Sequence, residues 1–403
     1  MHDMTHGTAQ YGADTRLPGM KFAAIARPPV VFGKVKSFDA EKTLAVSGVE
    51  QVVELPAAEP PAMFKALGGI AVIASNSWAA LKGRDLLSIE WDDGPNADYD
   101  SAAYQQALLA TVRQEGTKVR DEGNLDEALA SAASTLQAEY YAPHLAHATM
   151  EPPACVASVT ADFCEIWAPS QDPQSLIPMA EAVTGLTAEQ IRVNVTLLGG
   201  AFGRKSKCDF AEEAVFLSKQ TGSPVLVQWS REDDIRHDYY HSVSAQHLTA
   251  GVDADGAVTA WRHRLAYPSI MSTFDPSVKE AVAFELGLGA LNLPYDIPNL
   301  RIESGVAESK VRIGWLRSVC NIFQSFAVNS FSDELAHVRG VDPLQNLLEL
   351  IGPDRTLDFT SVGLEETENY PFETARLRQV TELVAGKAGW GRSLPPGHGL
   401  GIA

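Results

Sequence analysis

The chain has 403 residues, 45% of them hydrophobic and 21% charged, which suits two or three domains with a large core. Its net charge of −19 argues against a general nucleic-acid or anionic-membrane partner, so an anionic ligand has to be held by local positive groups. Four cysteines, Cys155, Cys164, Cys208 and Cys320, lack C-x-x-C spacing, which leaves no readable iron–sulfur or structural zinc site and predicts buried free thiols.

The opening Met1-His2-Asp3-Met4 has neither a basic region nor an apolar stretch, and no export signal is read there; no apolar run reaches transmembrane length. Residues 10–97 read as a small α+β unit, with strands at Phe22 to Ile25, Val49 to Leu55, Ile70 to Ser75 and Ser88 to Trp91, and a helix at Trp78 to Leu87. The run Asp92-Asp93-Gly94-Pro95-Asn96 marks its end. Residues 98–134 read as a helical connector, with helices at Tyr104 to Arg113 and Asp126 to Ala133. From 135 to 403 the pattern is mixed αβ. Strands fit Thr135 to Tyr141, Cys164 to Trp167, Arg192 to Leu197 and Pro224 to Trp229, and helices fit Ser175 to Thr184 and Asp209 to Gln220. Asp253-Ala254-Asp255-Gly256 turns a hairpin within Ala250 to Arg264. Helices follow at Ile322 to Arg339, Pro343 to Ile351 and Ala375 to Ala385. The closing Gly397-His398-Gly399-Leu400-Gly401-Ile402-Ala403 alternates small and apolar residues like the opening of a strand, so this domain is read as incomplete at its C-terminal end.

The most informative stretch is Leu197-Leu198-Gly199-Gly200-Ala201-Phe202-Gly203-Arg204-Lys205. A strand leads into it and a helix follows. That order predicts bare backbone N–H groups at a helix start, where nothing bulky blocks an anion and the helix dipole attracts it. Arg204, Lys205 and Lys207 supply a positive patch beside it, or else a solvated loop. A P-loop is not formed, because Arg204 stands where its last glycine belongs. A dinucleotide fingerprint is not formed either, because Leu198 stands at its first glycine.

Other constellations are weaker. His144, His147 and Glu151 have metal-ligand types, but Pro152-Pro153 breaks any regular helix through them and a structural role is favoured. His237, Asp238 and His241 read as an exposed polar loop or helix face. Gln171 leaves a strand as a loop hydrogen-bonder, and Arg317 precedes a helix whose apolar stripe is Phe323, Phe326, Ala327 and Phe331. Arg317 is either paired with an acid near that helix or free to meet an anionic or carbonyl oxygen.

Several stretches together carry a resemblance: Tyr11-Gly12-Ala13-Asp14 with Leu17-Pro18-Gly19-Met20, His147 to Pro152, Gly199 to Arg204, Trp229 to Asp234, and Gly314-Trp315-Leu316-Arg317-Ser318-Val319. In this order they resemble the molybdopterin-binding large subunits of the xanthine dehydrogenase and aldehyde oxidase family, nearest to the isoquinoline 1-oxidoreductase type. The resemblance implies an α+β chain: a hammerhead-type domain over 10–97, a connector over 98–134 and a first molybdopterin-binding domain over 135–403. It implies a molybdopterin cofactor, in its cytosine dinucleotide form, at Gln171, Gly199, Gly200, Ala201, Phe202, Gly203, Arg204 and Arg317. Gln171 and the Phe202 N–H would reach oxygen ligands of the metal. It further implies a separate small subunit carrying [2Fe–2S] clusters, N-heteroaromatic or aldehyde substrates, and water as the oxygen source. Relatives of this type are often periplasmic and carry an N-terminal extension with a twin-arginine signal.

Two departures matter. Ser206 stands where purine-hydroxylating members carry Glu, so purine is not the expected substrate. No Gly-x-Gly-Glu-Pro occurs, so the family's general base is not assigned and no catalytic or metal-ligating residue is named. The chain is therefore read as a truncated or split large subunit, with the other half of the cofactor pocket supplied from outside these 403 residues, a second chain being one source. The alternatives are a non-catalytic half-pocket fragment and, further off, a nicotinamide-dependent dehydrogenase.

Overall fold

Two large β-sheets dominate the chain, and neither is built from one continuous stretch of it. The computed structural model describes residues 1–364 and 370–403. In chain order the strands are β1 (Lys21–Ala26), β2 (Lys34–Asp39), β3 (Val49–Leu55), β4 (Gly69–Ala74), β5 (Ser88–Asp92), β6 (Thr117–Glu122), β7 (Ser134–Ala142), β8 (Ala154–Val159), β9 (Cys164–Ala168), β10 (Ile191–Val195), β11 (Val225–Gln228), β12 (Ser244–Val252), β13 (Val258–Ala266) and β14 (Asn299–Ser304). A seven-stranded sheet runs β10-β9-β8-β11-β1-β4-β3, and a five-stranded sheet runs β6-β14-β13-β12-β7. A ribbon of β2 and β5 stands apart.

The expected small domain over 10–97 is not self-contained. Its strand β1 pairs in parallel with β11, from Lys21↔Val225 to Ala23↔Val227, which joins residues 21–74 to residues 154–228 in one sheet. The reason lies in β4. All six of its residues are buried, so it is an inner strand, and β1 beside it needs a partner on its other edge. The segment 98–134 is not purely helical either. Between the helices Ser101–Arg113 and Leu125–Ser131 lies β6, which pairs antiparallel with β14. Its charged sequence, Thr-Lys-Val-Arg-Asp-Glu, suits an edge strand and hides the strand signal. The closing residues 397–403 form no strand. A strand needs a neighbour to bond with, and none of the described strands runs beside this segment.

Each sheet packs a helix. Phe210, Ala214 and Leu217 of the helix Asp209–Thr221 lie on Cys155, Ala157, Ile166 and Val225 of the larger sheet. Phe323, Ala327 and Phe331 of the helix Asn321–Arg339 lie on Leu248, Trp261 and Leu265 of the smaller one. Phe331 meets Trp261 edge to face at 5.0 Å, and burying one such ring stabilises the fold by roughly 1.5–3 kcal/mol. Phe326, expected in this stripe, instead sits half exposed at its margin and meets Tyr140. The four cysteines are free thiols; Cys155, Cys164 and Cys320 are buried.

Candidate functional site

Strands β9 and β10 are parallel neighbours, paired from Ile191↔Cys164 to Val195↔Ala168, so their C-terminal ends open at the same edge. Gln171 follows one strand and the glycine turn follows the other. They meet: Gly203 N donates to Gln171 Oε1 at 2.9 Å, and Gln171 N donates to the Lys205 carbonyl at 2.9 Å. With its oxygen engaged, the exposed Gln171 side chain keeps its NH₂ free.

The turn has an unusual backbone. Gly200, Phe202 and Gly203 have φ of +89°, +54° and +103°. Phe202 is the costly one, since its Cβ crowds the backbone in this region. The N–H groups of Gly200, Ala201 and Phe202 donate to no acceptor among the described residues. Successive amides in such a turn form a concavity that favours an anion. The Phe202 ring is 48% exposed beside it.

A second wall comes from the segment between β14 and the helix Asn321–Arg339. Arg317 N donates to the Phe202 carbonyl at 2.9 Å. Ser318 and Val319 also have positive φ, 75° and 46°, as does Ala148 at 44°. Of the seven non-glycine residues in this backbone region among the described residues, four line this site. Such strain persists where the surroundings over-determine it, which is usual at functional sites.

The three cations of the turn do not form the expected patch. Arg204, Lys205 and Lys207 are 0%, 0% and 1% exposed. Arg204 forks onto Asp209 with two bonds of 2.9 Å, and its Nε lies 3.0 Å from Asp238. Burial works against its charge, but Asp209 and Asp238 outweigh that and raise its pKa. Lys205 donates to Glu151 Oε2 at 2.7 Å, where the Gly199 N–H also arrives at 3.0 Å. Burial outweighs this pairing and lowers the Lys205 pKa. Lys207 touches no carboxylate among the described residues; it donates to the carbonyls of Gly203 and Trp315, at 2.5 and 3.0 Å. Burial, with Arg204 nearby, pushes it down to about 6. These cations fasten the turn from behind. Arg204, expected to meet the cofactor, is turned away from the free amides for the same reason.

The helix start was also expected to hold the anion. The helix Asp209–Thr221 instead begins after a 3₁₀ turn, Arg204–Ser206, and buried Asp209 sits in its first turn. The anion-binding face is the turn itself. Nor do β10, the helix and β11 form a dinucleotide-binding unit, because β9 and β8 lie between the two strands.

His147, His144 and Glu151 are each engaged. His147 Nδ1 lies 2.9 Å from Asp238 Oδ2 and its Nε2 lies 3.0 Å from the Trp315 carbonyl, so both ring nitrogens face acceptors within the protein. His144 bonds the His241 carbonyl through Nδ1. Asp238 and His241, expected to be exposed, are buried at 1% and 2%. Burial opposes the Asp238 charge, yet His147 and Arg204 overcome it and hold the carboxyl below its ordinary pKa. Asp234 is pushed up to about 6 by burial and by Asp238. Asp209, Asp238 and Trp315 are the supporting residues that sequence reasoning missed. Their signal was only an acid run and an aromatic, with nothing to show that they face Arg204 and Lys207.

Arg317 keeps an exposed side chain with no carboxylate partner among the described residues. Five donor groups here have no acceptor among the described residues: three amides, the Gln171 NH₂ and the Arg317 guanidinium. This donor set fits an oxygen-rich, anionic group such as a molybdopterin centre.

The sequence pattern of the molybdopterin cofactor-binding domain matches residues 110–346. The chain is 28% identical over 373 residues to a subunit of the nicotinate dehydrogenase of Pseudomonas putida, covering 91% of this chain and 31% of that protein. It is 25% identical over 353 residues to the beta subunit of the isoquinoline 1-oxidoreductase of Brevundimonas diminuta, covering 84% and 44%. Among solved structures, the aldehyde oxidoreductase of Desulfovibrio gigas superposes with a TM-score of 0.69 at 20% identity, over 97% of this chain and 46% of that one. Quinoline 2-oxidoreductase of Pseudomonas putida 86 gives 0.66 at 20% identity, over 96% and 55%. The chain thus spans between about a third and about a half of these relatives' lengths. With a match over more than half of its own length, the chain belongs to the molybdopterin cofactor-binding domain family.

Proposed function

We propose that this chain forms one wall of the cofactor site in a molybdenum hydroxylase that oxidises an N-heteroaromatic or aldehyde substrate, with water as the oxygen source. The observation that carries this reading is the row of free amides at Gly200, Ala201 and Phe202 beside the free NH₂ of Gln171. The names of relatives, among them nicotinate, isoquinoline and aldehyde enzymes, support the substrate class.

A bound molybdopterin, proposed here in its cytosine dinucleotide form, supplies the metal for two-electron oxidation of an electron-poor carbon. The residues of this chain place it. Phe202 N–H and the Gln171 amide donate to oxygens of the centre, while Gly200 and Gly203 let the backbone come close. Arg317 orients the cofactor or the substrate. Ser206 is turned inward, accepting from Trp315 Nε1 at 2.8 Å and donating to Gly203 O at 2.7 Å, which supports a substrate other than purine.

Among the described residues the carboxylates around the turn are committed: Glu151 to Lys205, Asp209 to Arg204, and Asp238 to His147 and Arg204. The general base is therefore sought in the protein segment or partner chain that completes the pocket, and a small iron–sulfur subunit takes the electrons.

Co-expression of this chain with those two partners, followed by metal and nucleotide analysis, tests the reading. One molybdenum and one CMP per assembled complex is the expected result. An assembled complex without molybdenum overturns it, and stoichiometric molybdenum in the lone chain rules out the shared pocket.

A further inference from the structure

Lys207 is the buried cation whose placement the cofactor-binding reading leaves unexplained. Its amine bonds the carbonyl of Gly203, the residue that follows the free amides in the chain, and the carbonyl of Trp315. It therefore ties the turn to the second wall. The Trp315 and Phe64 rings lie 4.5 and 5.5 Å away and close off the rest of its surroundings. Every other buried cation of the turn meets a carboxylate within 3.0 Å; Lys207 meets none among the described residues.

The charged groups around it come from four segments. Arg204 belongs to the same turn, Asp209 to the helix that follows, and Asp238 to the segment before β12. His147, between β7 and β8, shares the Trp315 carbonyl. Asp209 and Asp238 already serve Arg204, and Asp238 also serves His147. Among the described residues no counter-charge is left over for Lys207.

A neutral amine has two N–H groups, which matches the two carbonyls present. Burial without a counter-ion favours that form, and the group is driven down to about 6. An anion settling on the amides of Gly200, Ala201 and Phe202 brings the missing counter-charge to the other side of the same turn. We infer that Lys207 is a charge-compensating positioning residue: it holds the two walls together as a neutral amine and takes one proton from solvent onto Nζ when an anion occupies the turn. This inference rests on the cofactor-binding reading above. It adds to it a coupling between anion binding and proton uptake through a residue that never touches the ligand.

The test uses the full chain with sodium molybdate as the probe oxyanion. Titration calorimetry in two buffers of different ionisation enthalpy, at pH 7 to 9, gives the number of protons taken up per anion bound. Wild type is expected to take up between half a proton and one, and to bind up to about tenfold more weakly per pH unit as the pH rises. Lys207→Met is expected to show no uptake and a flat profile. Lys207→Arg stays charged throughout, and is expected to bind without uptake and to lose the pH dependence. The second variant covers a folding failure of the first. Molybdate bound by wild type with no proton uptake, or with equal uptake in both variants, overturns the inference alone. No binding by wild type at all overturns the amide-turn reading and this inference with it.

Discussion

Arg317 and Phe202 meet through their backbones. The Arg317 N–H donates to the Phe202 carbonyl at 2.9 Å, and both residues stay exposed. Two segments 115 positions apart are thereby locked in register while their functional groups remain uncommitted.

Because Arg317 supports the fold only through its backbone, its side chain is dispensable for stability. Arg317→Met is expected to change unfolding free energy by less than about 0.5 kcal/mol. Molybdopterin content of the assembled complex should fall, or KM should rise. Thermal unfolding together with pterin analysis checks this. A variant that unfolds several degrees earlier shows instead that the guanidinium is structural.

Gly203 has no room for a side chain. A Cβ there would lie 2.3 Å from the Trp315 carbonyl oxygen, and the residue sits at φ +103°. Gly203→Ala must push the turn off the second wall and strain the backbone. A loss of about 2 kcal/mol or more is expected. Denaturant unfolding measures the stability, and metal analysis should show reduced molybdenum. Unchanged stability would mean that the two walls do not meet as described.

The two ends of the Gln171 amide have different tasks. Gln171→Glu keeps an acceptor for the Gly203 N–H at the observed 2.9 Å but removes the free donor and adds a negative charge. Stability is expected to hold within about 1 kcal/mol, while molybdenum occupancy drops. Gln171→Leu removes both ends and should lower both quantities. Comparing the pair by calorimetry and metal content separates scaffold from ligand contact.

Glu212 provides a pH test away from the turn. Burial pushes it up to about 7, helped by Asp209 and Glu213 and opposed by the Ala66 N–H that it accepts at 2.7 Å. An unfolded Glu titrates near 4.3. Between those values the unfolded chain is the one that has released its proton, so stability falls as pH rises from about 4.5 through 7 and then levels. Glu212→Gln keeps an acceptor for Ala66 and cannot ionise. It is expected to match wild type at pH 4.5 and to exceed it by about 3 kcal/mol at pH 8. Chemical unfolding at the two pH values decides it; a difference of the same size at both would remove Glu212 ionisation as the cause.

Much of the secondary structure was legible because its signals are local. The alternation in Val193, Val195 and Leu197 marks a strand, and the spacing of Phe210, Ala214 and Leu217 marks a helix face. The Asp-Gly turn marks its hairpin, with β12 and β13 paired from Ala245↔Ala266 to Val252↔Val258. Strand β6 was not legible, because an edge strand of alternating charges carries no apolar pattern. The domain boundary at 97 misled for a related reason. The turn there is real, yet nothing in residues 10–97 announces that β1 completes its pairing with β11, two hundred positions on.

What the sequence determined by itself was the element order, the glycine turn with its exposed aromatic, and the family to which that combination belongs. These follow from backbone preferences and apolar spacing within a few residues. Tertiary structure alone decided which way the charges point. Arg204, Lys205 and Lys207 look like a ligand-binding patch in one dimension, and they became buried fasteners because Asp209, Glu151 and the Trp315 carbonyl arrive behind the turn from elsewhere in the chain. A buried charge is tolerated only beside its partner, and the partner's position is a long-range contact that no local pattern encodes.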